Sequence, residues 1–248
     1  MTRAKEVVPP PSAEDFLARA LAAESAPQRA RWAQKGLALD AEDLAPDTHV
    51  LLLRQVYLAH LDAHRFRKAV EVAVQMATVG VLRDIAHHDR ARAFVALGEP
   101  AAAIAAQRLA SRHAPPERRS FQLWCLGTLQ HFEDDVDASL RTLRRAERWA
   151  HEDRAMIRAH AAYVRLTANL AVAGLDALVN DLQASPAREG YGQWLLGMIA
   201  HELGDARRAA AHLRAWLRRH AAADPAKVIS LREELRRARV VLARLESD

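Results

Sequence analysis

The 248-residue sequence has few of the residues that build disulfide-rich, β-rich or membrane-spanning proteins. Cys125 is the single cysteine, so an intrachain disulfide and a thiolate-ligated metal site are excluded. Nine glycines and an aromatic content of 5% argue against a β-sandwich, which needs many turn residues and β-formers. No run of about 18 uncharged apolar residues occurs, so we expect no membrane span. The N-terminal residues lack the apolar stretch of a secretion signal, and we expect a cytoplasmic protein.

Basic residues are concentrated at the C-terminal end. The formal net charge is +5, and only four of the 36 basic residues are lysines. Residues 205–248 hold eleven basic and six acidic side chains, so the excess lies there and residues 1–204 are neutral. Two interpretations stay open: an anionic partner, either acidic protein or nucleic acid, or a solvated helix face diluted by Glu233 and Glu234. The candidate basic patch comprises Arg232, Arg236, Arg237 and Arg239.

The spacing of apolar and helix-breaking residues predicts an all-α chain. Apolar side chains recur at intervals of three and four, the period of an amphipathic helix, at Val50, Leu53, Val56, Tyr57 and Leu61. Prolines precede such patterns and glycines follow them, as is usual at the two ends of helices. We expect helices of roughly 11 to 17 residues.

The same punctuation repeats along the chain. Pro46 and Pro115 are 69 residues apart, Pro115 and Pro186 are 71 apart, and Gly127 and Gly197 are 70 apart. Each interval equals two units of about 35 residues, and this period in a helical chain indicates stacked helix pairs. Glycine inside a helix costs about 1 kcal/mol relative to alanine. We therefore expect a neighbouring helix to approach closely at Gly127 and Gly197.

Four segments resemble the tetratricopeptide repeat. The clearest contains Leu196, Gly197, Ala200, Gly204, Asp205, Ala206, Ala209 and Leu213. The other three contain Leu126 with Gly127, Phe94 with Gly98, and His64 with Phe66. The resemblance implies a right-handed α-solenoid of stacked helix-turn-helix repeats, and related helical-repeat families stay open as alternatives.

The resemblance covers residues 12–222 and implies about six helix pairs. Residues 153–187 are expected to form a divergent pair, because the turn signals Gly174 and Asp176 are out of register. Residues 1–11 are expected to be an extended leader. Residues 223–248 are expected to be an amphipathic basic capping helix with a polar outer face.

The resemblance also implies a concave groove, lined by the first helix of each pair, that binds a peptide or a partner helix. Helical phase places Trp124 and Trp194 at equivalent groove-facing positions, and tryptophan and arginine are enriched at interaction hot spots. Both tryptophans have an alternative place in the core between repeats. The candidate groove residues are Arg54, Leu58, Asp62, His88, Arg92, Trp124, Thr128, His131, Tyr191, Trp194, Met198 and His201.

We expect the partner to be a protein or peptide. The carboxylate clamp of lysines and asparagines found in chaperone-binding members is not supported, because the chain has four lysines and two asparagines. Arg54 and Arg92 could instead pair with acidic groups of the partner. The alternatives are a regulatory or nucleic-acid module that uses the basic patch, and a homodimer formed through incompletely capped ends. No membrane partner is expected.

Signals for catalysis or metal binding are weak. His60 and His64 have a spacing that can place two zinc ligands on one helix face, but no third ligand accompanies them. The acidic run 133–137 lacks the spacing and glycine of a calcium loop and fits a helix start, where acids favour the helix dipole. No phosphate loop, nucleophile elbow or metalloprotease motif occurs. We expect no enzyme activity, catalytic residue, cofactor or metal.

Overall fold

The computed structural model describes residues 10–40, 44–223 and 225–247, and every regular element within these ranges is helical, as predicted. The α-helices are α1 (Ala13–Leu21), α2 (Ala26–Leu37), α3 (Pro46–Asp62), α4 (Phe66–Thr78), α5 (Arg83–Leu97), α6 (Pro100–His113), α7 (Pro116–Phe132), α8 (Val136–Trp149), α9 (Arg154–Thr167), α10 (Leu175–Ala184), α11 (Tyr191–Glu202), α12 (Ala206–His220), α13 (Pro225–Ser230) and α14 (Arg232–Leu245). A 3-10 helix covers Pro186–Glu189. Residues 1–9 of the predicted leader lie outside the described part of the chain.

The helices pack in consecutive pairs, from α1 with α2 to α11 with α12, and most pairs also contact the next one. Pro46, Pro100 and Pro116 are the first residues of α3, α6 and α7, respectively. Proline has no N–H, but the first residue of a helix needs none for the helical hydrogen bonds, so none is lost there. This architecture confirms the expected stack of helix-turn-helix repeats.

One left-handed residue marks the turn after each first helix from α3 onward. These residues are His64, Gly98, Asp134, Asn169 and Gly204, with φ between 55° and 75°. They recur at intervals of 34, 36, 35 and 35 residues. After each of them, the next N–H donates to the carbonyl five residues before it, as Arg65 does to His60 at 2.8 Å and Leu170 does to Arg165 at 2.8 Å. The predicted period is therefore present in the backbone itself.

The divergent pair differs from the others only after its turn. Asn169 holds the left-handed position in register, but α10 begins at Leu175, six residues later. In the other four turns the second helix begins two residues after the left-handed residue, for example at Phe66 after His64. Four extra residues before α10 therefore put Gly174 and Asp176 out of register.

Two helix-interior glycines allow the close approach that the sequence predicts. A Cβ atom on Gly127 would lie 2.8 Å from Cγ of Leu143, and one on Gly197 would lie 2.6 Å from Cδ2 of Leu213. Each leucine stands sixteen residues after its glycine, in the second helix of the same pair. The leucine side chain fills the space that an alanine methyl would need.

A row of polar contacts joins the odd-numbered helices across neighbouring pairs. Arg54 of α3 donates to Asp89 of α5 at 2.7 Å, and Arg118 of α7 donates to Asp84 of α5 at 2.7 and 2.9 Å. Nε1 of Trp124 in α7 donates to Nδ1 of His160 in α9 at 3.0 Å. These partners are 34 to 36 residues apart. Residues at the same position of neighbouring repeats therefore contact each other along the first helices of the stack.

The C-terminal region forms two helices joined at a bend. The Ser230 hydroxyl donates to the carbonyl of Ala226, four residues earlier, and such back-bonding favours a bend in a helix. The second helix, α14, buries Ala238, Val241 and Leu242 in the same apolar cluster as residues of α11 and α12. It therefore caps the last repeat as expected, whereas α13 turns away and contacts α3 and α5.

Candidate binding groove

A cavity of about 480 Å³ lies between the first helices and the C-terminal segment, which we define as residues 225–237. The groove wall consists of α3, α5, α7 and α11, each of which contributes to the cavity lining. Residues 229–234 of the C-terminal segment line the opposite side. The cavity is therefore the part of the space beside the first helices that the chain's own C-terminal segment leaves unfilled.

Six of the twelve candidate groove residues meet in this cavity. They are Arg54, His88, Arg92, Trp124, Thr128 and Tyr191. They come from four helices, α3, α5, α7 and α11. These six residues, up to 137 positions apart in the chain, thus line one cavity.

The other six candidates lie outside the cavity lining. The side chains of His131, Trp194 and Met198 are buried in the core, so Trp194 takes the core position that was its alternative. Asp62 pairs with Arg29 at 2.7 Å. Leu58 and His201 are half-buried, and Leu58 packs against the apolar cluster that contains residues of α3 and α5.

The arginines of the groove wall are held by buried carboxylates. Asp89 is fully buried and accepts from Nε of Arg54 at 2.7 Å and from Nη1 of Arg92 at 3.3 Å. Asp84, also buried, accepts two hydrogen bonds from Arg118. Arg118 has a carboxylate of its own, whereas Arg54 and Arg92 share Asp89. The two carboxylates therefore fix the three arginines in orientation and offset two of their three charges.

Aromatic rings form the other part of the wall. Phe121 is 43% exposed, and its ring centroid lies 5.9 Å from that of Trp124. The Trp124 ring meets Tyr191 edge-on at 4.7 Å. The indole N–H of Trp124 donates to Nδ1 of His160, so the proton of that neutral imidazole resides on Nε2. Burial lowers the pKa of His160 well below its usual value and keeps the ring neutral.

A polar chain closes the floor of the cavity. Nδ1 of His88 lies 3.1 Å from Oε1 of Gln107, and Nε2 of Gln107 donates to both the side chain and the backbone carbonyl of Gln122. Burial lowers the pKa of His88. These contacts occupy Nδ1 of His88, both polar atoms of the Gln107 side chain and Oε1 of Gln122, and the cavity lining is mainly apolar.

The C-terminal segment is bound to the wall by backbone and side-chain contacts. Nη2 of Arg92 donates to the carbonyl of Ala226 at 3.0 Å and also to the hydroxyl of Ser230. Ala226 and Ile229 are buried within the apolar cluster that contains residues of α3 and α5. Further along, the Tyr191 hydroxyl donates to the Glu234 carboxylate at 3.1 Å.

Several functional side chains were not identified from the sequence. They are Asp84, Asp89, Phe121, Ile229, Ser230 and Glu234. Asp89 follows Arg54 by 35 residues and Arg118 follows Asp84 by 34. Opposite charges one repeat apart, on first helices, were therefore an available signal for the ion pairs. No comparable signal places α13 against the wall.

The candidate basic patch is partly neutralised. Arg236 and Arg237 both donate to Glu233, at 2.6 and 2.8 Å. Arg232 and Arg239 are exposed. The guanidinium of Arg237 also lies 4.7 Å from the centroid of the Phe132 ring, so this arginine helps to fasten α14 to α7.

Two further properties bear on the chemistry of the described residues. Among residues 10–40, 44–223 and 225–247, no group of three or more His, Cys, Asp or Glu side chains could hold a metal ion. In the same ranges no helix has both the length and the apolarity needed to cross a bilayer.

Comparisons with known proteins give little. No protein-family model and no curated protein matches the chain. Among solved structures, the chain is similar to the apo form of RapI, with 13% sequence identity and a TM-score of 0.47 over 95% of this chain and 70% of that one. The repeat architecture therefore rests on the chain's own geometry, and membership of the tetratricopeptide family stays a prediction.

Proposed function

We propose that this protein is a non-catalytic, cytoplasmic interaction scaffold whose groove wall binds a helical segment of a partner protein. The proposal rests on the way in which α13 is bound to the groove wall. Arg92 donates to a backbone carbonyl of α13, while Ala226 and Ile229 are buried against α3 and α5. A surface that holds one piece of polypeptide through its backbone and apolar side chains has the chemistry to hold another.

The composition of the cavity lining supports the same proposal. Phe121, Trp124 and Tyr191 supply rigid apolar area, and aromatic residues are frequent hot spots of protein interfaces. Asp84 and Asp89 already bind the three arginines of the wall and offset two of their three charges. The wall therefore favours a partner with apolar side chains and backbone carbonyls over a strongly acidic one.

A photo-crosslinking experiment tests the proposal. Phe121 is replaced by p-benzoylphenylalanine in the full chain, which is expressed in its source cells and irradiated. Trp149 of α8 is the matched control, because it is similarly exposed at 39% but does not line the cavity. We expect one protein to be crosslinked from position 121 and not from position 149.

The crosslinked protein is then purified and titrated against the wild-type chain and the Phe121→Ala and Trp149→Ala variants. Loss of the Phe121 ring should weaken binding by about tenfold, as for the loss of a hot-spot side chain. The Trp149→Ala variant should bind as the wild type does. Equal crosslinking from both positions, or equal affinity of both variants, would reject the groove as the binding site.

A further inference from the structure

The C-terminal segment occupies the part of the groove where a partner would bind, and we propose that it is a displaceable internal ligand. The same observations identify the partner as a short helix that carries the surface chemistry of α13. This inference rests on the proposed function. It adds how the groove is kept closed and which kind of helix opens it.

The apolar part of the surface that holds α13 contacts one face of that helix. Ala226 and Ile229 are three residues apart, and both belong to the apolar cluster that contains Val56 and Tyr57 of α3. Between them, Val228 is 38% exposed. A helix that fits this surface presents a small residue and then, three positions later, a branched aliphatic residue.

The polar part of the surface that holds α13 contacts one carbonyl and one hydroxyl of that helix. Arg92 donates to the Ala226 carbonyl and to the Ser230 hydroxyl. Asp89, which also binds Arg54, holds Arg92 in place. The partner helix therefore carries a hydroxyl side chain four residues after the carbonyl that Arg92 binds.

The hold on the C-terminal segment is incomplete. The helix α13 has six residues, which is too short to be stable without tertiary contacts. A cavity of about 480 Å³ stays open beside it, whereas well-packed interiors have few voids larger than a water molecule. Glu234 is buried beside Cys125 and Tyr191 and accepts a hydrogen bond from the tyrosine, and the burial of a carboxylate is unfavourable.

A partner helix can therefore improve on the internal ligand. It would keep the small-x-x-aliphatic pair and the hydroxyl that Arg92 binds, and it would add a leucine, methionine or aromatic side chain that fills the open cavity beside Phe121 and Trp124. It would carry no carboxylate at the place of Glu234.

The single thiol of the chain reports on release of the C-terminal segment. Cys125 is half-buried and lies in the cavity lining, opposite residues 229–234. Its reaction with a maleimide is measured in the full chain for the wild type and for Ile229→Asp, which places a charge against the apolar part of the surface that holds α13. The matched control is Val228→Asp, one position away on the exposed side of α13.

We expect Ile229→Asp to react about tenfold faster than the wild type, because local opening exposes the thiol, and Val228→Asp to react at the wild-type rate. A synthetic labelled peptide with the sequence of residues 225–245 is then titrated against the same proteins. It should bind Ile229→Asp more tightly than the wild type. Should Ile229→Asp lose helix content, Arg92→Leu releases the segment from the wall side, with the same two expectations.

Equal thiol reactivity in all variants would show that the segment does not cover the groove, and equal peptide affinity would show that it does not compete. Either result overturns the inference while leaving crosslinking from Phe121 as a separate test of the proposed function. Concentration-dependent dimers that exchange the segment would assign the surface that holds α13 to a second copy of the chain and would also overturn it.

Discussion

Nη2 of Arg92 donates a hydrogen bond to the carbonyl of Ala226, a residue 134 positions later in the chain. The bond connects the middle of the groove wall with the segment that follows the last repeat. Asp89 accepts from the same guanidinium and is completely buried. The concave face of this helical stack thus binds a peptide backbone through a donor that the wall itself holds in position.

Replacing Asp89 by asparagine should destabilise the chain and loosen the C-terminal segment. Two arginines would lose their shared buried carboxylate. Breaking a buried ion pair costs about 3 kcal/mol at the lower end of the usual range. We expect a loss at this lower end, because Arg54 is one-third exposed and can be rehydrated. Urea unfolding measures the loss, and hydrogen exchange of residues 225–230 should accelerate in the folded chain.

The control for this substitution is Glu99→Gln. Glu99, the residue before α6, also forms an ion pair with Arg67 of α4, but both side chains are exposed and 3.5 Å apart. Such surface pairs contribute less than about 1 kcal/mol. A loss in Asp89→Asn no larger than that in Glu99→Gln would contradict the role given to Asp89.

Replacing Gly197 by alanine should destabilise the chain although alanine is the better helix former. The new methyl would lie 2.6 Å from Cδ2 of Leu213, and overpacking of this kind costs about 1–3 kcal/mol. In a double-mutant cycle, Leu213→Ala should tolerate the methyl, so the loss in the double variant should be smaller than the sum of the single losses. Additive losses would show that the two residues are not coupled.

The docked C-terminal segment should be more stable at pH 6 than at pH 8. Burial raises the pKa of Glu234 to about 7, and the groups that face this carboxyl are Tyr191, Cys125, Glu233 and Arg237. A carboxyl whose folded-state pKa is raised contributes stability below its ordinary pKa and loses it as pH rises through the folded value.

The corresponding measurement is thermal unfolding of the wild type and of Glu234→Gln at the two pH values. The wild type should lose about 1 kcal/mol more than the variant between pH 6 and pH 8. The histidines contribute equally to both proteins and cancel in the difference. The same pH dependence in both proteins would contradict the assignment to Glu234.

Acid should destabilise the chain through His131. Burial and the charge of Arg237 lower the pKa of His131 to about 4, so its contribution is complete above its ordinary pKa and is lost as pH falls through the folded value. Between pH 7 and pH 5 the wild type should lose roughly 2 kcal/mol more than His131→Gln. The exposed His151 is the control, since His151→Gln should follow the wild type in urea unfolding at both pH values.

The helical stack could be predicted in detail because its signals are local. Gly98 and Gly204 indicate left-handed turns, and Gly127 and Gly197 indicate close contacts between helices. The turn at Asn169 was missed because asparagine replaces glycine there and four further residues separate it from α10. The period of the chain alone, carried forward from Asp134, leads to residue 169.

The groove could be predicted only in part, because burial depends on what covers a surface. Trp124 and Trp194 hold the same position 70 residues apart, yet Trp124 is half-buried at the cavity and Trp194 is completely buried. The difference arises at the C-terminal end, where α14 packs on α11 and α12. Amphipathic spacing predicts a helix in this region, but the bend at Ser230, which sends α13 across the groove, follows from contacts with Arg92.

Hydrogen exchange of residues 225–230 in the full chain, with and without the partner crosslinked through position 121, tests the central claim most directly. Our account predicts that a bound partner takes the place of α13, so the amides of these residues should exchange about tenfold faster or more in the complex. Unchanged or slower exchange of α13 in the presence of the partner would contradict it.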